Sequence, residues 1–229
     1  LTLALARVFA KVSNLDWDPR QMARICQLAE NQWVGVNCGI MDQMISASGQ
    51  ENHVTLIDCR SLKTIPVPLP EEVRVVILDT CTRRGLVDSA YNERRKQCES
   101  VASYFGKKAL RDVSYKQLNE EKAKIDHTQF KRARHVVQEN ERVLDCAESL
   151  RLGNLDHVGK LMNSSHKSLR DDFEVSSDAL DLIVENALKA PGCYGARMTG
   201  AGFGGCAVAL VETKKTEDFV KKVLKSYQT

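Results

Sequence analysis

The sequence holds 229 residues with 33 basic against 30 acidic side chains, a formal charge of +3 dispersed along the chain. So small an excess gives no reason to expect nucleic-acid or membrane-surface binding. A hydrophobic fraction of 43% and a charged fraction of 28% describe a soluble protein able to bury a core, as one large domain or two small ones.

Residues 1–13 read as a buried helix, broken at 14–19 before a second, amphipathic helix carrying Met22, Ile25, Cys26 and Leu28. The first residue is Leu1 rather than Met, with a helix already under way, so the chain is expected to be a piece of a longer protein. After the mixed stretch 30–37, the run Cys38-Gly39-Ile40-Met41-Asp42-Gln43 opens an apolar-periodic segment with Met41, Met44, Ile45, Ala47 and Ser48. This places Asp42 in the first turn of a helix, where free backbone N–H groups and the helix dipole favour a carboxylate. Such an acid taken alone is an ordinary helix-start residue. Its neighbours add to it: Gly39 is small enough to let a ligand approach the backbone, and Met41 and Gln43 are expected to wall the position on both sides.

A turn at 49–52 leads into a strand at 53–58 with a hairpin partner at 61–67. Pro66, Pro68 and Pro70 then stiffen the chain, which suggests a boundary between domains at 1–72 and 73–229. Residues 73–78 form a nearly continuous apolar run, expected to be a strand covered on both faces. It ends in the polar segment 79–85, a place where ligands often sit. The following helix carries Val87, Tyr91, Arg94, Cys98, Val101 and Phe105 on one face, so Tyr91 reads either as a core tyrosine or as a ligand-facing one. Further helices are predicted at 127–152, 154–169 and 177–189, closed by Gly153, the stretch 170–174 and Pro191-Gly192; a strand at 206–211 and a helix at 216–227 follow.

Gly200, Gly202 and Gly205 satisfy G-x-G-x-x-G by spacing, but an apolar strand follows them directly where a dinucleotide fingerprint would open a helix. No Gly-Lys-Ser/Thr follows, which excludes a P-loop. Two readings stay open: a glycine-rich hairpin, or a concavity whose bare N–H groups bind an anion. No two of the eight cysteines form C-x-x-C, and none of the five histidines falls in H-E-x-x-H. The cysteines read as reduced thiols of a cytoplasmic protein, and a metal site made of protein ligands alone is not expected. No apolar run approaches the ~18 residues of a membrane span.

Several stretches, in order, resemble the sugar kinases of the GHMP superfamily and, within them, the galactokinases. They are Cys38 to Gln43, Leu56-Ile57-Asp58-Cys59-Arg60-Ser61-Leu62, Ser89-Ala90-Tyr91-Asn92-Glu93-Arg94-Arg95, residues 165–176, and residues 194–206 with Met198-Thr199-Gly200-Ala201-Gly202-Phe203-Gly204-Gly205. The resemblance implies an α+β fold of two-domain GHMP-kinase architecture, the remainder of an S5-like N-terminal domain followed by a ferredoxin-like, helix-rich C-terminal domain. It implies galactose as substrate and ATP with Mg²⁺ as cofactors. Asp42 would be the catalytic residue, facing the anomeric hydroxyl as proton acceptor; Gly39, Asp42 and Tyr91 would bind the sugar, and Gly200, Gly202, Gly204 and Gly205 would support the phosphate loop, with no metal ligand in this chain. The family's early sugar-recognition motif, its Pro-x-Gly-x-Gly-Leu-Ser-Ser-Ser loop and its closing strand are not found here, so the 229 residues alone are expected to be inactive. Gly85 stands where many relatives have His. The reading is a galactose 1-kinase; the alternatives are a non-catalytic galactose- and ATP-binding regulator or a kinase for a related sugar such as N-acetylgalactosamine. The oligomeric state stays open.

Overall fold

The computed structural model describes residues 1–35, 38–82 and 87–227. Residues 83–85 of the predicted polar segment 79–85, with Gly85, lie outside them. The chain is α+β and divides into two compact units, Leu1–Leu69 and Pro70–Thr229.

In the first unit, helices α1 (Thr2–Val12), α2 (Pro19–Ala29) and α3 (Met41–Ser48) precede an antiparallel hairpin of β1 (His53–Asp58) and β2 (Lys63–Pro68), which places Leu56 opposite Ile65. Helix α2 starts where the sequence signals it: the Asp18 carboxylate accepts the N–H groups of Arg20 and Gln21, and Pro19 occupies the first helical position. It runs into a π turn at Glu30–Val34 that stops at Gly35 in the left-handed region, φ 78°. The core is small, built on Ala23, Ile40 and Met44 with Ala47, Ile57 and Leu62 against them. The expectation that the first helix is buried fails. Only Ala10 of α1 is buried, while Leu5, Val8, Phe9 and Val12 are half or more exposed. Those four positions, spaced i, i+3, i+4 and i+7, form an apolar stripe that no described residue covers.

The second unit is centred on a three-stranded antiparallel sheet of β3 (Val73–Asp79), β4 (Cys193–Met198) and β5 (Cys206–Glu212), in the order β3-β5-β4. Central β5 buries Ala207, Ala209, Leu210 and Val211. The run in β3 is not covered on both faces as its composition suggested. It is an edge strand whose Val76 and Leu78 side joins the core, while Val75 and Ile77 are 49% and 70% exposed. Strand β4 has no counterpart among the predicted elements, because a central Gly195 and a bulge between Cys193 and Gly195 disguise it. Helices α8 (Asp178–Leu188) and α9 (Thr216–Tyr227) close one core through Leu180, Ile183, Val184, Phe219 and Val223. A second core joins α4 (Val87–Tyr104), α5 (Tyr115–Glu120) and α6 (His127–Arg151) through Val101, Leu118, Phe130 and Val137. Helix α5 is an addition to the predicted set, started by a reciprocal Ser114–Gln117 cap. Helix α7 (Leu155–Ser168) begins just after Gly153, φ 69°, and continues into a π turn, Leu169–Phe173, stopped by Glu174 in the left-handed region. No helix among the described residues is long and apolar enough to cross a membrane.

Candidate active site

The segment entering α3 is pinned to the end of α2 by side chains. Gln43, buried, donates from Nε2 to Glu30 Oε2 at 2.9 Å; Gln27 donates to the Cys38 carbonyl at 3.1 Å; Asn31 Oδ1 accepts the Cys38 N–H at 3.2 Å. Burial first, and then the hydrogen bond to Glu30, push the Cys38 thiol up, so it stays protonated and donates to Glu30 Oε2 at 3.4 Å. With its neighbours tied down in this way, Asp42 lies in the first turn of α3, exposed, on an open cavity of about 740 Å³. Leu1 to Ala4, Arg7, Trp17, Glu30, Gln43, Ser46 and Ala47 are among the other residues lining this cavity. The Arg7 guanidinium stacks over the Trp17 ring at 4.7 Å. Gln43 thus walls the position, as expected, through its inward turn toward Glu30. Met41 does not: it is 53% exposed and is not part of the lining.

Gly39 has neither a left-handed backbone nor a close neighbour, and a Cβ built there would meet nothing within 4 Å. Chain folding therefore does not require glycine at this position, which leaves the space beside the backbone open to a ligand.

Tyr91 and the glycine cluster belong to the second unit. Tyr91 is 38% exposed and, among the described residues, lies outside both apolar cores. One turn along, Arg94 of the same motif is structural, donating from Nε to the Phe173 carbonyl at 2.7 Å and from Nη2 to the Glu174 carbonyl at 3.2 Å.

The cluster Gly200–Gly205 is the hairpin connection from β4 to β5, with Gly200, Gly202, Gly204 and Gly205 all at positive φ. Glycine is required twice over at two of these positions. A Cβ on Gly202 would lie 2.1 Å from the Val175 carbonyl oxygen, and one on Gly204 would lie 2.9 Å from Thr82 Oγ1. The loop is further held by Phe203 N–H to Val175 O at 2.7 Å, and by the buried Thr80, whose N–H and hydroxyl both donate to the Gly205 carbonyl, at 3.0 and 2.6 Å. Sequence reasoning missed these anchors, since Val175 and Thr80 carry no local signal for them. The Gly202 N–H closes a turn on the Thr199 carbonyl, whereas among the described residues the N–H groups of Gly200, Ala201, Gly204 and Gly205 have no acceptor. That donor set fits an anion such as a phosphate. No cluster of three or more His, Cys, Asp or Glu among the described residues could hold a metal ion.

Behind the loop, α7 supports the strand that leads into it. His166, buried, accepts the Met198 N–H on Nδ1 at 3.3 Å and therefore presents Nε2 to Asp181 Oδ1 at 3.2 Å. Burial holds the imidazole below its ordinary range against the opposing charge of Asp181.

Comparison with known proteins places this geometry in a family. The family model described as GHMP kinases N terminal domain matches residues 1–50, and that described as GHMP kinases C terminal matches residues 146–228. Relatives described as galactokinase include those of Mannheimia succiniciproducens, 46% identical over 100% of this chain and 60% of the relative, and Pasteurella multocida, 50% identical over 95% and 57%. The chain thus spans about 60% of the length of the curated relatives it matches. A crystal structure of Lactococcus lactis galactokinase complexed with galactose superposes with a TM-score of 0.92 at 37% identity, covering 99% of this chain and 60% of that one. L. major mevalonate kinase, at 19% identity and a TM-score of 0.63 over 98% of this chain and 59% of its own, shares the fold alone. Both halves of a single kinase architecture are therefore represented in order along the sequence, and the chain belongs to the GHMP kinases.

Proposed function

We propose that this chain is part of an ATP-dependent sugar kinase that phosphorylates galactose at its anomeric hydroxyl, giving galactose 1-phosphate and ADP. The observation that carries this reading is the TM-score of 0.92, at 37% identity, to a galactokinase complexed with galactose. In this reading the first unit is the C-terminal part of the N-terminal domain, and the second is the C-terminal domain.

Phosphoryl transfer asks a protein mainly for positioning and charge stabilisation. Asp42, exposed on the cavity and set by the clamped Cys38–Gln43 segment, orients the anomeric oxygen and takes its proton as the bond to phosphorus forms and the bond to the ADP oxygen breaks. The open space beside Gly39 serves the sugar, as does Tyr91, a residue 38% exposed. The bare N–H groups of Gly200, Ala201, Gly204 and Gly205 support the phosphate side. Mg²⁺ would come with the ATP and supply charge neutralisation at the phosphates, and no cluster of His, Cys, Asp or Glu among the described residues is built to hold it.

The test is ADP release by the full-length protein given Mg-ATP with galactose, with N-acetylgalactosamine in parallel. Galactose-dependent turnover is the expected result. Galactose binding by calorimetry without turnover would overturn the kinase reading in favour of a non-catalytic sugar-binding protein, and turnover of N-acetylgalactosamine alone would replace the substrate.

A further inference from the structure

The loop Gly200–Gly205 takes its path from a carbonyl outside its own hairpin. Val175 O accepts the Phe203 N–H at 2.7 Å and stands where a Gly202 side chain would have to be, so any shift of this oxygen moves the loop. Val175 directly follows Glu174, which sits at φ 53°, ψ 53°, a region unfavourable for a residue with a side chain. Asn or Gly would satisfy that backbone more easily, so the reason for Glu must lie in its carboxylate.

That carboxylate is gripped from α6. Lys131 Nζ lies 2.6 Å from Oε1 and Arg132 Nη2 lies 2.6 Å from Oε2, with the Arg132 side chain only 3% exposed. The hydrogen bonds of Arg132 and then Lys131 hold the Glu174 carboxyl down at about 2. Arg94 of α4 fixes the two preceding carbonyls, those of Phe173 and Glu174 itself. The elbow is therefore locked by side chains from two helices, and its next carbonyl is the one the glycine loop rests on.

We infer that Glu174 is a positioning residue for the nucleotide: its ion pairs with Lys131 and Arg132 fix the elbow at residues 173–175, and through the Val175 carbonyl they fix the Gly200–Gly205 loop. The inference rests on the reading of that loop as the phosphate-side element of the proposed kinase.

The test is Glu174→Gln in the full-length protein, which keeps length and loses charge, read in two independent ways. Hydrogen exchange of the Phe203 N–H, the loop's bond to the Val175 carbonyl, should quicken by about tenfold while β5 keeps its protection, because only the loop has lost its support. The KM for ATP should rise by about tenfold while that for galactose stays within about twofold. Glu174→Gly, which suits the left-handed backbone without the ion pairs, should loosen the loop in the same way. Unchanged loop exchange in both variants, or exchange that quickens equally across the sheet, would overturn the inference, as would a loosened loop with an unaltered KM for ATP. A wild-type protein that turns over no sugar sinks the kinase reading instead, and the exchange measurement still decides whether Glu174 holds the loop.

Discussion

Gly159 of α7 and Gly195 of β4 face each other at backbone contact: a Cβ built on Gly195 would lie 2.6 Å from the Gly159 α-carbon, and one on Gly159 would lie 1.9 Å from the Tyr194 carbonyl oxygen. Neither glycine has a left-handed backbone, so close approach alone demands them. Further along the same helix face, Asn163 Oδ1 accepts the Ala196 N–H at 3.0 Å and His166 the Met198 N–H. The free edge of β4 is thus sealed by side chains of α7 in place of another strand. Gly159→Ala sets two effects against each other: alanine favours the helix by about 1 kcal/mol, while overpacking against a carbonyl that cannot rotate away costs about 1–3 kcal/mol or more. The clash is expected to win, lowering the melting temperature by about 4 °C or more. Calorimetry of the variant checks this, and an unchanged or raised Tm would mean that the helix and strand are not in contact here.

This contact also shows why part of the structure was not legible in the sequence. The predicted bounds of α6, α7, α8 and α9 agree with the structure to within a residue or so, and the side chains of Asp126, Asn154 and Ser177 cap the helices they precede. Strand β4 was hidden because its outer hydrogen bonds go to Asn163 and His166, some 30 residues away in sequence. In β3 and α1 the apolar pattern was legible, but not whether another element lies over it. For the candidate site, Asp42 at a helix start and the hairpin glycines were readable from spacing. The reason Gly202 must be glycine is the Val175 carbonyl, which only the folded chain brings there.

The buried histidines predict acid sensitivity with a definite sign. His135 is 5% exposed, packs on the Phe173 ring with centroids 4.7 Å apart, and shares a hydrogen bond with Ser168 Oγ at 3.0 Å. Burial, with the charges of Arg142 and Arg197 adding to it and those of Glu139 and Asp172 opposing, pushes its pKa down from 6.5 to about 4. As pH falls through this window the unfolded chain binds a proton that the folded one refuses, so the stability is complete above about 6.5 and is lost toward about 4, at roughly 1 kcal/mol per pH unit. Urea unfolding of His135→Leu and wild type at several pH values should show a slope shallower by one proton in the variant, with the contribution of His166 remaining. Equal slopes would mean that His135 titrates normally.

Asp42→Asn in the full-length protein is expected to lower kcat for galactose by about a hundredfold or more and to change the KM far less, since the amide keeps the size and loses both charge and proton acceptance. The segment it belongs to is held through Gln43, Cys38 and Asn31, so the fold should not respond. Steady-state kinetics with near-normal turnover would remove Asp42 from catalysis.

Tyr91→Phe should raise the KM for galactose about threefold to tenfold, the effect of one neutral hydrogen bond, and leave the melting temperature unmoved because the ring is outside both cores. A Tm lowered by several degrees with an unchanged KM would make Tyr91 a packing residue after all.

Gly39→Ala separates space kept for a ligand from space the chain happens not to fill. A methyl group there meets no atom within 4 Å and imposes no left-handed strain, so the folded state accepts it. Restricting the unfolded chain should even stabilise the protein by about 0.4–1 kcal/mol. A sugar lying against the Gly39 backbone would meet the new methyl group directly, and the KM for galactose is then expected to rise by about tenfold or more. The paired outcome, unchanged or higher Tm with weaker galactose binding, is one that a purely structural glycine cannot produce. Gly202→Ala, blocked by the Val175 carbonyl, should lose stability instead. If Gly39→Ala keeps both its Tm and its KM for galactose, the sugar does not lie beside Gly39, and the substrate role of that glycine must be abandoned even where that of Asp42 survives.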